Sequence, residues 1–178
     1  MVEPVGYNSM WQKFENDVYN VVKKYFQDDD NFIVEWSPTI ERYCAGEVRK
    51  LKPDVLLSVK CKSCEEKKDD SSCAEIAFIF DAYCKFKDDP EYFKKKDDQM
   101  QKYSEICDSV LVMPKGYEQR PLCRKSNGKN QYHIISFETI YQFLNSLKKT
   151  LEITYREDCW VIDHQLMEPV STEILNYR

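Results

Sequence analysis

Two aspartates at the polar ends of apolar runs offer the clearest chemistry in this sequence. Asp54 directly precedes an apolar run that begins at Val55, and Asp81 follows one that ends at Phe80. Because an unpaired buried carboxylate is costly, an aspartate placed against such a run needs a reason. One interpretation is that both aspartates cap strand ends in solvent. The other is that they converge with a lysine to hold a hard divalent cation, which polarises a phosphoryl oxygen and activates water.

The two strands that carry these aspartates are predicted from the hydrophobic pattern at 53–59 and 74–86. The polar connection between them is short and favours an antiparallel hairpin. The start of one strand then lies opposite the end of the next, which brings Asp54 close to Asp81. Side chains alternate along a strand, so the odd positions from 77 to 85 share a face with Asp81. The even positions from 76 to 86 form an apolar face for the core.

The remaining elements follow from periodicity and from capping and turn residues. Helices are predicted at 10–26, from 90 to about 106, and at 137–147. Strands are predicted at 32–36, 109–113, 132–136 and 151–155, with a weaker candidate at 160–162, whereas 40–50 has no clear assignment. A helix separates strand 109–113 from strand 74–86, so these two strands are expected to be parallel. Together the elements predict an α/β fold in which helices flank a mixed central β-sheet.

Length and composition are those of a single globular domain, with 178 residues of which 42% are hydrophobic. We expect 1–150 to form this domain and 151–178 to form a C-terminal extension that packs on it or serves in assembly. No run approaches the roughly 20 apolar residues of a membrane span, and the N-terminus lacks a secretory signal. An intracellular protein without membrane contact is therefore expected.

Positive charge is concentrated around the helix that begins at 90, although the net charge of −5 gives no indication of nucleic acid. The basic residues there are Lys85, Lys87, Lys94, Lys95, Lys96 and Lys102. They are either a contact surface for a phosphate backbone or a solvated face balanced by neighbouring acids.

The ordered motifs resemble those of the PD-(D/E)XK nuclease superfamily. Pro53-Asp54 and Asp81 match its two acidic blocks, and Gln99-Met-Gln-Lys-Tyr103 matches the Gln-x-x-x-Tyr helix motif of its RecB-like branch. The last block is a strand that ends at a proline. The order of these blocks is similar to their order in the nuclease domains of McrC-type restriction subunits. The resemblance covers about a third of the chain, from 52 to 114.

This resemblance implies a restriction-endonuclease-like core and a metal-dependent nuclease that hydrolyses DNA. Asp54 and Asp81 would be the metal ligands for Mg or Mn, and Gln99 and Tyr103 would support them at the nucleic-acid site. The family often adds an acid from its first helix, for which Glu15 is the candidate. Glu35 is the competing candidate. Members often act as homodimers or within larger nucleic-acid-processing assemblies.

One position departs from the family pattern. Tyr83 stands where the family has its catalytic lysine, two residues after the acid. Lys85 lies on the same face one pleat further along and is the candidate for charge stabilisation, and Lys102, beside the Gln-Tyr motif, is another possible donor. The alternative is that catalysis is lost and that the fold is a silent module that binds nucleic acid or a partner protein.

The chain contains 8 cysteines, and four of them could form a second site. Cys61, Cys64 and Cys73 lie in the hairpin connection, and Cys44 could supply a fourth zinc ligand. A disulfide within the hairpin and free thiols are the alternatives. Cys107 lies in an apolar pattern and is expected in the core, as is Cys84.

Overall fold

The computed structural model describes residues 7–44, 47–60, 74–83, 90–114 and 132–154. The helices within these ranges are α1 (Tyr7–Phe26), α2 (Pro90–Ser104), a short 3-10 helix (Phe137–Thr139) and α3 (Ile140–Thr154). The strands are β1 (Phe32–Trp36), β2 (Ile40–Cys44), β3 (Glu47–Leu51), β4 (Val55–Lys60), β5 (Ala74–Ala82), β6 (Ser109–Met113) and β7 (Tyr132–Ser136).

Five of these strands form one mixed sheet in the order β1-β4-β5-β6-β7. β4 pairs antiparallel with both β1 and β5, which confirms the predicted hairpin. β5 and β6 are parallel, as expected for strands joined through α2, and β7 extends the parallel part. The prediction of a mixed α/β fold is confirmed.

One face of the sheet packs against α1 and α3 through a continuous apolar layer, here called the first cluster. The amphipathic helices contribute side chains at helical spacing, and the strands contribute alternate residues. Its buried members include Val18, Val22, Phe26, Val55, Leu57, Phe78, Phe80, Val110, Val112, Phe143, Leu144 and Leu147.

The opposite face packs against α2 and against the base of a separate two-stranded sheet formed by β2 and β3. This second cluster contains Leu56, Ile79, Tyr83, Met100, Tyr103, Cys107, Leu111, Met113 and Tyr132. β2 and β3, which come from a region that had no clear assignment, thus pair antiparallel. Their Ile40 and Leu51 are directly opposite each other and pack on this cluster. The expectation that Cys107 is a core residue is confirmed.

A β-bulge corrects the predicted alternation on β5. The pairing shifts between Leu57 and Ser58, so that Leu57 lies opposite Phe78 and Ser58 opposite Ile76. The extra residue, Ala77, joins the first cluster, whereas Ile76 packs against the second. The predicted assignment of odd and even positions to the two faces of β5 is therefore correct from 78 onwards. It is wrong before the bulge, because a bulge shifts the alternation by one residue.

The strand predicted at 151–155 is also wrong, because α3 continues to Thr154 and buries Leu151 in the first cluster. The candidate strand at 160–162 and most of the predicted extension lie outside the described residues. Within the part that the structure describes, none of the helices is long and apolar enough to cross a membrane.

Candidate active site

Asp54 and Asp81 lie together where β4 begins and β5 ends. The register pairs Val55 with Phe80, so the next residue outward on each strand is one of the two aspartates. The backbone N–H of Asp54 donates to Asp81 Oδ1 at 3.4 Å, and the N–H of Ala82 donates to Asp54 Oδ2 at 2.7 Å. Each carboxylate is thus held by the backbone of the other strand. The sequence predicted this proximity from the hairpin, and the structure brings the two residues together.

Lys96, on α2, is the cation at this pair. Its ammonium forms an ion pair with Asp81 Oδ2, and both residues are buried, with 6% of Lys96 and 1% of Asp81 exposed. A buried charge is tolerated only when it is paired, and here the two side chains are each other's partners. Sequence reasoning counted Lys96 only among the basic residues of the helix and did not assign it to the site.

The Gln-Tyr motif continues this contact along α2. Lys96 Nζ donates to Gln99 Oε1 at 3.2 Å, and Gln99 Nε2 donates to Tyr103 Oη at 2.6 Å. Tyr103 Oη donates in turn to the carbonyl of Lys52 at 3.0 Å. The chain of hydrogen bonds therefore joins the Asp81 carboxylate to the segment that leads into Asp54. The spacing of Lys96, Gln99 and Tyr103, at i, i+3 and i+7, is the signal that could have identified the lysine.

Glu15 approaches the site from α1. Burial raises the pKa of its carboxyl, the nearby Lys96 ammonium lowers it, and Asp81 raises it again. These effects place Glu15 in the field of both charged groups. Its competitor Glu35 lies on β1 and is exposed.

Burial and neighbouring charges act together on the ionisable groups of the site. Burial, followed by the charge of Asp81, raises the pKa of Asp54 to about 8, against the opposing effects of Lys96 and the Ala82 N–H. The same carboxylates act on Tyr92 of α2, since burial and then Asp81, Glu15 and Asp54 raise its pKa to about 12. Burial and neighbouring carboxylates thus both disfavour the ionised form of these two groups.

Tyr83 fills the position of the family lysine and is part of the core. It is fully buried in the second cluster, its backbone N–H donates to Val112 O at 2.9 Å, and its ring lies 5.5 Å from that of Tyr92. Lys85 lies outside the described residues. Lys102 is exposed on α2, and none of the contacts between described residues brings its side chain to the aspartates.

The cysteine site stays a prediction. Cys44 ends β2, whereas Cys61, Cys64 and Cys73 lie outside the ranges that the structure describes, as does Cys84. Zinc, a disulfide and free thiols therefore remain the alternatives for this group.

The donor set at the aspartates fits a hard divalent cation that brings ligands of its own. Among the described residues, no group of three or more His, Cys, Asp or Glu side chains is arranged to hold a metal ion. Mg²⁺ commonly uses only one or two protein carboxylates and completes its shell with water and substrate phosphate. Asp54 and Asp81 supply two such carboxylates, and the pKa of Asp54 is raised first by burial and then by the charge of Asp81.

Comparisons with known proteins give no relative for this chain. No protein-family model matches it, and searches of curated proteins and of solved structures find no significant match. The functional argument therefore depends on the geometry of the site and on the motif resemblance.

Proposed function

We propose that this protein is a metal-dependent nuclease that hydrolyses phosphodiester bonds of DNA. The observation that carries the proposal is the convergence of Asp54, Asp81 and Lys96, in which a backbone hydrogen bond joins Asp54 to Asp81 and the buried Asp81 forms an ion pair with the buried Lys96. Two carboxylates and an ammonium are the groups needed to hold a divalent cation and to stabilise charge on a phosphate.

The arrangement of the motif blocks on the fold supports a restriction-endonuclease-like core. Pro53-Asp54 lies immediately before β4, Asp81 lies near the end of β5, and the Gln-Tyr motif lies on α2. β6 then ends at Met113, directly before Pro114. Each block therefore occupies the kind of element that the resemblance implies, in the same order along the chain.

In this proposal Asp54 and Asp81 hold Mg or Mn, and Glu15 is the additional acid from the first helix. The bound cation would supply Lewis-acid polarisation of the phosphate and a water molecule of lowered pKa. Gln99 and Tyr103 position the lysine, because their hydrogen bonds fix Lys96 from one side while Asp81 fixes it from the other.

Lys96 is the lysine that the structure favours for charge stabilisation at the phosphate. Its ammonium already contacts Asp81, whereas the position two residues after Asp81 is occupied by the buried ring of Tyr83. The role of Lys85 in charge stabilisation stays a prediction, and mutation can distinguish it from Lys96. Lys96→Arg keeps the charge and should retain part of the activity, whereas Lys85→Met should have little effect if Lys96 is the functional residue.

The direct test is cleavage of labelled single-stranded and double-stranded DNA in the presence of Mg²⁺ or Mn²⁺. We expect cleavage by the wild type, inhibition by a chelator, and loss of at least about 10³-fold in rate for Asp81→Ala, because a metal ligand is removed. Glu35→Ala changes an exposed carboxylate outside the site and is the matched control. Absence of metal-dependent cleavage by the wild type would refute the nuclease proposal.

One observation favours the second candidate, a silent nuclease-fold module that binds nucleic acid or a partner protein. Asp81 is 1% exposed and both of its carboxylate oxygens have partners in the protein, one on the Asp54 backbone and one on Lys96. A carboxylate engaged in this way must exchange a partner before it binds a cation. Binding of DNA without cleavage would support this candidate.

A further inference from the structure

Trp36 is an exposed aromatic residue next to the strand end that carries Asp54. It ends β1, an edge strand of the five-stranded sheet, and 42% of it is exposed. Trp36 lies opposite Val55, and the N–H of the following residue, Ser37, donates to Asp54 O at 2.8 Å. Since neighbouring strands are about 4.8 Å apart, the backbone of Trp36 lies roughly one strand spacing from the start of β4.

Tyr19 of α1 supports the ring of Trp36. The two ring centroids are 5.0 Å apart, and the ring planes are inclined by 57°. Tyr19 is half-buried and packs against the first cluster, whereas Trp36 extends to the surface. The Trp36 ring is therefore held from the α1 side and presents aromatic surface to solvent. Tyrosine and tryptophan exposed in this way are typical of binding surfaces.

Lys23 adds a positive charge to the aromatic pair. Its ammonium lies 5.5 Å from the centroid of the Tyr19 ring, within the range of a cation–π contact. None of the ion pairs between described residues involves Lys23. The acid beside Trp36 on β1, Glu35, lies opposite Leu56 and therefore belongs to the other face of the sheet. The charge of Lys23 is thus available to an external anion.

The first helix connects the aromatic pair with the candidate active site. Glu15, which approaches the site from α1, precedes Tyr19 by four residues. Residues four apart share a side of a helix and are about 6 Å apart along its axis. One side of α1 therefore carries Glu15 at the site, then Tyr19 against Trp36, and then Lys23.

We infer that Trp36 and Tyr19, here called the aromatic platform, stack an unpaired base of a single-stranded nucleic acid, with Lys23 at the adjoining phosphate. The choice of nucleic acid as the ligand rests on the proposed nuclease function. Proteins that bind single strands combine aromatic side chains, on which bases stack, with positive charge along the phosphate backbone. Bases inside a duplex are already stacked on both faces, so the platform favours single-stranded nucleic acid as the substrate class.

The test is fluorescence anisotropy with labelled single-stranded DNA and a blunt duplex, in EDTA so that metal-dependent cleavage does not occur. We expect Trp36→Ala to weaken binding of the single strand on the order of tenfold and to affect the duplex much less. Trp36→Phe keeps a ring for stacking and should recover most of the affinity. Tyr141→Ala removes an aromatic side chain of α3 that is 51% exposed, and this matched control should bind like the wild type.

The contribution of Lys23 is measured through the salt dependence of the same binding. Lys23→Ala should reduce the slope of log K against log salt by about 0.7, the value for one phosphate contact on a single strand. Lys24→Ala removes an equal charge from the adjacent exposed position and should leave the slope unchanged. The same measurements with single-stranded RNA identify the kind of nucleic acid.

Three results would overturn the inference. The first is binding by Trp36→Ala that equals that of the wild type, or that falls only as much as in Tyr141→Ala. The second is a wild-type protein that binds neither single-stranded DNA nor single-stranded RNA. The third is a wild-type dimer in sedimentation velocity that Trp36→Ala dissociates, because the platform would then contact a second copy of the chain.

The platform inference and the nuclease proposal can fail separately. If the wild type cleaves DNA and Trp36→Ala binds normally, the platform inference fails and the nuclease proposal stands. If binding of a single strand depends on Trp36 and no cleavage occurs, the nuclease proposal fails and the platform stands.

Discussion

The two faces of the central sheet bury side chains of opposite character at the same depth. Phe80 and Asp81 are neighbours on β5; Phe80 is fully buried in the first cluster, and Asp81 is 1% exposed beside α2. His133 is a titratable side chain packed near Phe143 of the first cluster, and burial keeps it neutral by lowering its pKa to about 4. On the α2 side, by contrast, the buried side chains Asp81 and Lys96 form an ion pair.

This difference indicates that the two faces of the sheet have different roles, one in stability and the other in chemistry. Apolar burial on the α1 and α3 side stabilises the domain directly. A buried ion pair stabilises little on balance, since desolvation of the charges offsets their attraction, and apolar residues of similar volume are often as good or better. The charges on the α2 side are therefore better explained by a role in chemistry than by stability.

The largest expected effect is on stability, and it comes from substitution of Lys96, the buried cation on the α2 side. Lys96→Met leaves Asp81 charged and unpaired, and should reduce the free energy of unfolding by about 3–5 kcal/mol. The double variant Lys96→Met, Asp81→Leu removes both charges and should recover most of that loss. Urea denaturation at neutral pH measures both values, with Lys95→Met at an exposed position of α2 as the control. A double variant as unstable as the single one would show that the site is held by packing rather than by charge pairing.

A second test uses the pH dependence of Asp54. Its pKa rises from 3.8 in the unfolded chain to about 8 in the folded protein. Between these values the unfolded chain releases a proton that the folded protein keeps, so the free energy of unfolding should fall as pH rises from about 4 to 8. Relative to Asp54→Asn, the wild type should lose about 2–4 kcal/mol over this range. A stability difference that is independent of pH would contradict the electrostatic account of the site.

The first cluster should show the opposite and smaller pH dependence through His133. Its pKa is 6.5 in the unfolded chain and about 4 in the folded protein. Below pH 6.5 the unfolded chain gains a proton that the folded protein does not accept, so stability should fall as pH decreases towards 4. Relative to His133→Leu, we expect a loss of about 1–2 kcal/mol over this range. Thermal unfolding at several pH values measures it, and an unchanged difference would show that His133 is charged in the folded state.

Local patterns predicted the parts of the fold that depend on neighbouring residues. Alternation and turn residues located β4 and β5, and Pro90 marked the start of α2. The bulge at Ala77 was not predictable in this way, because it adds a residue to one strand without changing the apolar character of the segment. The strand proposed at 151–155 failed because Leu151 completes the apolar stripe of a helix rather than an independent strand.

The candidate site was predictable where it depends on one hairpin and not where it depends on packing. Asp54 and Asp81 follow from strand pairing alone. Lys96 required the orientation of α2 over the sheet, and several lysines on that helix are equivalent in a sequence without tertiary contacts.

The central claim, that the carboxylate pair of the α2 face binds a divalent cation, is tested most directly by calorimetric titration with Mn²⁺. We expect a Mn²⁺ site in the wild type that Asp54→Asn weakens on the order of 100-fold or more. The exposed-carboxylate variant Glu35→Gln should bind like the wild type. Because metal binding requires ionised Asp54, whose pKa is about 8, proton release should accompany binding at neutral pH. Absence of Mn²⁺ binding in the wild type, or equal binding by Asp54→Asn and Glu35→Gln, would contradict the claim.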